Sequence, residues 1–157
     1  IMHQAVWNSP KIISWTQIVL DSYLKIVKNE LIIREDSPIA QAKALYFAPF
    51  VVVSHGTQAD PILNYGNEIA LNLWEMSWDI FIRTPSRLTA EPMNRQEREE
   101  MLKTVNTQGF IDNYQGVRIS NQGKRFYIDK AIVWNLVNSE NELCGQAATF
   151  SEWFFIS

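Results

Sequence analysis

Two antiparallel strands joined by a tight turn are predicted by the sequence Gly116-Val117-Arg118-Ile119-Ser120-Asn121-Gln122-Gly123-Lys124-Arg125-Phe126-Tyr127-Ile128. Apolar and polar residues alternate on both sides of Gln122-Gly123, as they do in strands with one buried face. The second strand continues to Val137, and the polar segment 138–141 predicts another turn before a last strand that reaches Trp153. A three-stranded antiparallel meander is therefore expected in the last third of the chain.

The lengths of the two turns predict the register of these strands. A two-residue loop pairs Ile119 with Phe126, and a short loop at 138–141 pairs Asn135 with Cys144. Since side chains alternate between the two faces of a sheet, each face can be assigned. The expected core face carries Val117, Ile119, Phe126, Ile128, Ile132, Trp134, Leu136, Leu143 and Trp153. The other face, which could line a cavity, pack on another element or face water, carries Arg118, Tyr127, Asn135, Cys144, Gln146 and Phe150.

Composition restricts the class of protein. The 157 residues, of which 46% are hydrophobic and 20% charged, fit one globular domain. A net charge of -3 argues against a nucleic-acid binder, because phosphate contacts need clustered Lys and Arg. The single Cys144 excludes an internal disulfide, and the longest apolar run, 44–53, is broken by Pro49 and too short for a membrane span. We expect a cytoplasmic protein with no membrane partner.

The first two thirds of the chain are predicted to contain mostly helices. Ser9-Pro10 and Ser37-Pro38 are helix start signals, in which a capping side chain precedes proline at the first helical position. The β-branched run Val51-Val52-Val53 predicts a strand, a short strand follows at 62–65, and Asn67 caps the next helix. A charged helix is expected from Pro92 to about residue 107. We predict a single α+β domain over 1–157, with an N-terminal helical extension at about 9–46 and a core at about 47–154.

Several motifs, in fixed order, resemble the MEKHLA domain family. The first extends from Ala48 to Thr57 and continues with Asp60-Pro61 and the segment 64–67. The second is Trp78 followed by Pro85-Ser86-Arg87 and Glu91-Pro92, and the third spans the predicted meander, with Gly116-Val117-Arg118-Ile119, Gly123-Lys124-Arg125-Phe126, Val133-Trp134-Asn135-Leu136, Gly145-Gln146-Ala147-Ala148 and Trp153. The resemblance covers residues from about 12 to 153.

The resemblance implies a PAS-like fold, in which a five-stranded antiparallel sheet has helices over one face. MEKHLA domains occur as stand-alone bacterial proteins, which this chain resembles, and at the C-terminus of plant homeodomain–leucine-zipper factors. There they are linked to regulated dimerisation and to redox or light sensing. The resemblance therefore implies a sensory or regulatory role in signalling, and the missing homeodomain and zipper mean that DNA binding does not carry over.

Six residues are candidates for ligand binding. Asn135 and Gln146 lie on adjacent strands, where amides can bind the polar edge of a ligand, although such amides more often bond to backbone or water. Arg118 could pair with an anionic ligand or with a carboxylate of the chain. Arg87 and Trp78 lie in the irregular segment that flanks the pocket in PAS-like folds, and Trp78 could wall a planar ligand or simply fill the core. The sixth candidate, His55, is considered next.

His55 is the only histidine in the body of the chain and could act as a base if Asp60 oriented its ring. The segment between them is flexible, so a turn histidine bonded to backbone is the favoured interpretation. No residues have the spacing that is typical of metal ligands, and no motif identifies a cofactor. We expect no catalytic residues.

The leading hypothesis is a non-catalytic sensory module that binds a small organic ligand, a protein partner or both. Its apolar N-terminal helix, expected over 10–33, could form a homodimer. The alternatives are a pure dimerisation module with a filled core and a small enzyme that uses His55 and Asp60.

Overall fold

An antiparallel sheet of six strands forms the centre of the computed structural model, which describes residues 5–90 and 95–156. The strands are β1 (Val51–His55), β2 (Leu63–Gly66), β3 (Phe110–Ile119), β4 (Arg125–Val137), β5 (Leu143–Phe150) and β6 (Glu152–Ile156). Their order is β2-β1-β5-β4-β3, and β6 continues β5 along the edge of β4. The α+β fold class and its five-stranded antiparallel sheet, predicted from the sequence, are confirmed, and β6 is an addition.

The helices are α1 (Pro10–Val27), α2 (Pro38–Tyr46), α3 (Glu68–Trp74), α4 (Trp78–Phe81) and α5 (Arg95–Gln108). Their starts follow the capping signals of the sequence: the side chains of Ser9, Ser37 and Asn67 each accept a hydrogen bond from a backbone N–H in the first turn. Pro92, the expected first residue of α5, lies outside the described residues. No helix within the described residues is both long and apolar enough to cross a membrane.

Both faces of the sheet are covered. Helices α3, α4 and α5 lie over one face, where Val51, Phe126, Ile128 and Phe150 are buried. Helix α1 lies over the opposite face and packs its apolar side against Val52, Trp134, Leu136 and Ala147. We call these the cavity face and the α1 face.

Most apolar residues of helix α1 pack against other parts of the same chain. It ends at Val27, where Lys28 takes up a left-handed conformation with φ of 71°, so the expected extension to residue 33 is wrong. Val19, Leu20 and Tyr23 are buried against the sheet, whereas Leu24 is 43% exposed. A homodimer through this helix stays a prediction. Sedimentation equilibrium tests it, and a monomer at high protein concentration would contradict it.

The predicted register between β3 and β4 is wrong by one residue. Phe126 pairs with Arg118 rather than with Ile119, and Ile128 pairs with Gly116 rather than with Val117. A one-residue shift moves each side chain to the other face. It therefore places Arg118 with Phe126 on the cavity face.

The predicted register between β4 and β5 is wrong by two residues. The turn is longer than expected, because Asn138 N–H donates to the carbonyl of Glu142, and Asn135 therefore pairs with Gln146 instead of Cys144. A two-residue shift preserves the face of each side chain. Asn135 and Gln146 are thus direct neighbours on the cavity face.

A bulge in β4 separates residues that the sequence placed together. Lys130 has a left-handed φ of 54°, and the alternation of faces shifts by one residue there. Phe126 and Ile128 consequently lie on the cavity face, while Trp134 and Leu136 lie on the α1 face. The single core face expected from the sequence is in fact divided between two cores, and Leu143, expected in it, is 51% exposed.

Candidate ligand-binding site

A cavity of about 70 Å³, here called the central cavity, lies between the cavity face of the sheet and helix α5. Because one water needs about 10–15 Å³ of such space, the cavity has room for roughly five to seven water molecules. Its apolar wall is formed by Val53, Leu63, Trp74, Met101, Ile128, Val133 and Phe150. Its polar wall is formed by His55, Ser86, Arg98, Tyr114, Arg118 and Gln146.

The guanidinium group of Arg118 is buried in the polar wall, with the residue 7% exposed. Nη1 donates to the carbonyl of Val117 at 3.0 Å, and Nη2 donates to the hydroxyl of Tyr114 at 3.2 Å. The group also lies over the ring of Tyr114, 5.5 Å from its centroid. Each of these partners is neutral, so the positive charge is solvated by dipoles rather than by a carboxylate.

Gly116 makes room for this arrangement. Tyr114, Gly116 and Arg118 alternate along β3 onto the same face, and the bulge in β4 keeps them opposite Ala131, Ile128 and Phe126. A Cβ atom on Gly116 would lie 3.0 Å from the Tyr114 hydroxyl and 3.1 Å from Arg118 Nη1. The absence of a side chain at this position therefore lets the two polar groups meet at the cavity.

Arg98 reaches the same wall from helix α5. Its Nη2 donates to the hydroxyl of Ser86, a residue that is itself buried in the short 3₁₀ turn Ser86–Thr89. Burial, the larger cause, and the charge of Arg118 together lower the pKa of Arg98 to about 10. Two guanidinium groups from different elements thus approach the same cavity.

A chain of amides connects the sheet to α5. Gln146 Nε2 donates to Asn106 Oδ1 at 2.7 Å and to Asn135 Oδ1 at 3.1 Å. Asn135 Nδ2 in turn donates to the carbonyl of Val105 at 3.1 Å. Of these amides Gln146 lines the cavity directly, whereas Asn135 supports it from the side.

His55 ends strand β1 at the border of the cavity. Its Nδ1 lies 2.9 Å from the carbonyl of Gly56; because a carbonyl only accepts, Nδ1 bears the proton. The Gln146 amide lies beside the ring, but no described group makes a well-aligned hydrogen bond to the buried Nε2. Burial lowers the pKa of His55, and the nearby charge of Arg98 lowers it as well, so the ring is neutral at pH 7.

The lowered pKa of His55 predicts a change in stability with pH. The unfolded chain binds a proton on this ring more tightly than the folded chain does, so His55 favours folding above pH 6.5 and opposes it as the pH falls below that value. We expect the free energy of unfolding to decline less between pH 7 and pH 5 in His55→Gln than in the wild type. Urea titrations at both pH values measure this. Equal declines would contradict it.

Two candidate residues lie away from the central cavity. Trp78 packs edge-on against Tyr65, with ring centroids 5.9 Å apart, and borders a separate surface groove. Arg87 is exposed and its Nε lies 3.2 Å from both carboxylate oxygens of Asp60. The structure therefore brings together His55, Arg118 and Gln146 at the cavity, with Asn135 beside them, and separates Trp78 and Arg87 from them.

Sequence reasoning missed Arg98, Ser86, Tyr114 and Trp74 as lining residues. Arg98 belongs to the helix that the sequence predicts as charged, yet it shares helical spacing with Met101, Leu102 and Val105, the apolar stripe of α5. That spacing is the signal that could have found it. Trp74, rather than Trp78, supplies the indole ring of the cavity wall.

No cluster of His, Cys, Asp and Glu that could hold a metal ion occurs within residues 5–90 and 95–156. The pair needed for base catalysis is also not formed among them, because Asp60 binds Arg87 and His55 binds the Gly56 carbonyl. The polar wall instead combines the two guanidinium groups of Arg98 and Arg118 with hydroxyl, amide and imidazole groups, and the guanidinium donors suit the binding of an acceptor-rich molecule.

Solved structures with the same fold are PAS and light-oxygen-voltage domains. A PAS domain of a Colwellia psychrerythraea protein has a TM-score of 0.63 and 16% identity, over 74% of this chain and 94% of that one. A light-oxygen-voltage domain studied with a flavin analogue has a TM-score of 0.59 and 15% identity, over 75% and 85% of the two chains. An RNA-binding light-oxygen-voltage receptor has a TM-score of 0.60 and 14% identity; 76% of this chain aligns with 34% of the receptor.

These likenesses confirm the PAS-like fold predicted from the sequence. No curated protein sequence matches the chain. The MEKHLA domain matches residues 13–155, which include every strand of the five-stranded sheet and all residues of the central cavity. The predicted resemblance is confirmed, and the chain belongs to the MEKHLA domain family.

Proposed function

We propose that this chain is a non-catalytic sensory module that takes up a small organic molecule in the central cavity. The observation that supports it is the cavity itself, which lies between the sheet and α5 and is lined by apolar side chains with a few convergent polar groups. Small-molecule sites in proteins have this composition. The alternative of a dimerisation module with a filled core would leave this cavity without a role.

The size of the cavity favours a small ligand over a flavin. Room for roughly five to seven water molecules accommodates a molecule with a similar number of non-hydrogen atoms. A three-ring flavin is several times larger and would require α5 to move away from the sheet. The protein studied with a flavin analogue is 15% identical to this chain, and this likeness shows a common fold and not a common ligand.

Helix α5 is the element through which occupancy would act. Its buried contacts are few: Met101 and Val105 pack against Val133, while most of its remaining residues are exposed. Segments with few buried apolar contacts open at low free-energy cost. A molecule that touches Arg98 and Met101 on one side and the sheet on the other would hold α5 in place. It would shift the equilibrium between docked and open α5 by the difference in its affinity for the two states.

Methyl NMR tests uptake directly. The ε-methyl of Met101 and the δ-methyl of Ile128 both lie at the cavity wall. We expect saturable shifts of both signals when a panel of small carboxylates, amides and alcohols is titrated into the protein. A filled variant, Ala148→Leu, should abolish these shifts, because Ala148 lines the cavity and an added side chain occupies its volume.

Ala59→Leu, in the exposed loop after β1, is the matched control and should bind like the wild type. If no compound of the panel shifts the cavity methyl signals of the wild type, the proposed function is wrong. Shifts of equal size in Ala148→Leu would place the binding site elsewhere and contradict it as well.

A further inference from the structure

The central cavity contains two cations that lack an anionic partner. Arg118 bonds to the Val117 carbonyl and to the Tyr114 hydroxyl, and Arg98 bonds to the Ser86 hydroxyl. Among the described residues no carboxylate forms an ion pair with either of them. A guanidinium group has five N–H donors, so both groups keep donors that these neutral partners do not use.

Nearby acidic residues do not fill this role. Glu99 and Asp60 are close enough to raise the pKa of Arg98, but this effect is smaller than that of burial and of the Arg118 charge. Glu99 is exposed on α5, and the Asp60 carboxylate is held by Arg87. Since a buried charge without a counter-charge is costly, the pair of arginines favours an anion from outside.

Trp74 supplies a further donor. The residue is 3% exposed and lines the cavity, and its indole Nε1–H has no hydrogen-bond partner among the described residues. An indole N–H can only donate. The wall also holds an acceptor without a partner among the described residues, His55 Nε2, but the donors of Trp74 and the two guanidinium groups outnumber it and match the acceptor-only character of a carboxylate.

The rest of the wall is apolar. The same space is lined by Ile128, Val133, Phe150 and Met101. An anion that needs polar partners on all sides would find none on this part of the wall. A molecule with one anionic end and a short hydrocarbon body satisfies both halves of the wall. The volume of about 70 Å³ sets its size at about that of a short branched acid.

We propose that the central cavity binds a small monocarboxylate, with its carboxylate between Arg98 and Arg118 and its hydrocarbon body against Ile128, Val133 and Phe150. The inference rests on the proposed function and adds the chemical class of the ligand. Arginine suits this role because its planar fork matches the two oxygens of a carboxylate.

Isothermal titration calorimetry with three probes tests the ligand class. The probes are isovalerate, its neutral isostere isovaleramide, and inorganic phosphate. We expect the wild type to bind isovalerate at least about tenfold more tightly than isovaleramide, because only the acid pairs with the guanidinium groups. Phosphate should bind more weakly than isovalerate, because it leaves the apolar wall unfilled.

The variants Arg118→Met and Arg98→Met should each weaken isovalerate binding by about tenfold to a hundredfold and leave isovaleramide binding nearly unchanged. Arg87→Met, which removes an exposed arginine of the same region, is the matched control and should behave like the wild type. Circular dichroism checks that each variant is folded, and the comparison of acid with amide in the wild type needs no variant.

Glu91 lies outside the described residues, and Glu91→Gln shows whether the chain supplies its own counter-charge. We expect its affinity for isovalerate to stay within about threefold of the wild type; a tenfold or greater gain would overturn the proposal.

The other outcomes separate the two levels of the account. If isovaleramide binds as tightly as isovalerate, the ligand needs no carboxylate, although uptake of a small molecule still holds. If phosphate binds more tightly than isovalerate, the proposed contact between a hydrocarbon body and the apolar wall is wrong. If none of the three probes binds, the carboxylate proposal is wrong, and the methyl NMR panel then decides whether the proposed function fails with it.

Discussion

Gly145→Ala is expected to destabilise the fold by about 3–5 kcal/mol, which is a large share of the stability of a domain of this size. A Cβ atom at this position would lie 2.2 Å from the backbone carbonyl oxygen of His55. That oxygen belongs to β1, which is paired with β5 at this point, so neither strand can move without loss of ladder hydrogen bonds. Thermal and urea unfolding followed by circular dichroism measure the effect.

Gly123→Ala is the matched control for this substitution. Gly123 has a left-handed φ of +83° but no atom within 4 Å of an added Cβ, so only the backbone strain remains. That strain costs about 1 kcal/mol. A Gly145→Ala protein as stable as Gly123→Ala would show that β1 and β5 are not packed as described.

Asn67→Ala is expected to cost about 4 kcal/mol, because it removes the partners of several buried backbone groups at once. The Asn67 side chain is fully buried, accepts from the N–H of Val52 and donates to the carbonyls of Leu45 and Phe50. It also caps α3 through the N–H of Ala70. One side-chain amide therefore forms hydrogen bonds with α2, β1 and α3. Chemical denaturation measures its contribution to the free energy of unfolding.

Ser77→Ala provides the comparison for the capping part of this effect. Ser77 caps α4 through the N–H of Ile80 but is exposed and makes no other side-chain bond among the described residues. We expect a loss of about 1 kcal/mol for this variant. Equal losses in Asn67→Ala and Ser77→Ala would mean that the backbone contacts of Asn67 contribute little.

The sequence predicted the elements of this fold more reliably than their registers. Ser9, Ser37 and Asn67 cap helices as expected because a cap is a local property of a few adjacent residues. Strand register depends on turn geometry and bulges, which the sequence specifies weakly. The left-handed Lys130 is an example, since nothing in its residue type requires a positive φ.

The candidate site was predictable where its residues share a strand face. Gln146 and Asn135 keep their common face despite the register error, because a shift of two residues preserves the alternation. Arg118 shares this face as predicted, because the bulge at Lys130 in β4 offsets the one-residue error in the register between β3 and β4. Arg87 and Trp78 lie in the segment that flanks the pocket in PAS-like folds, but the tertiary fold brings them to other partners, Asp60 and Tyr65, that are distant in sequence.

Hydrogen exchange of helix α5 measures whether an occupant of the cavity fixes this helix on the sheet. We expect saturating isovalerate to slow amide exchange at 98–108 and to leave exchange in α1, which lies on the opposite face, unchanged. Ala148→Leu, with its cavity filled, should show no response to the acid. Unchanged exchange in α5 of the wild type at saturating isovalerate would contradict the account.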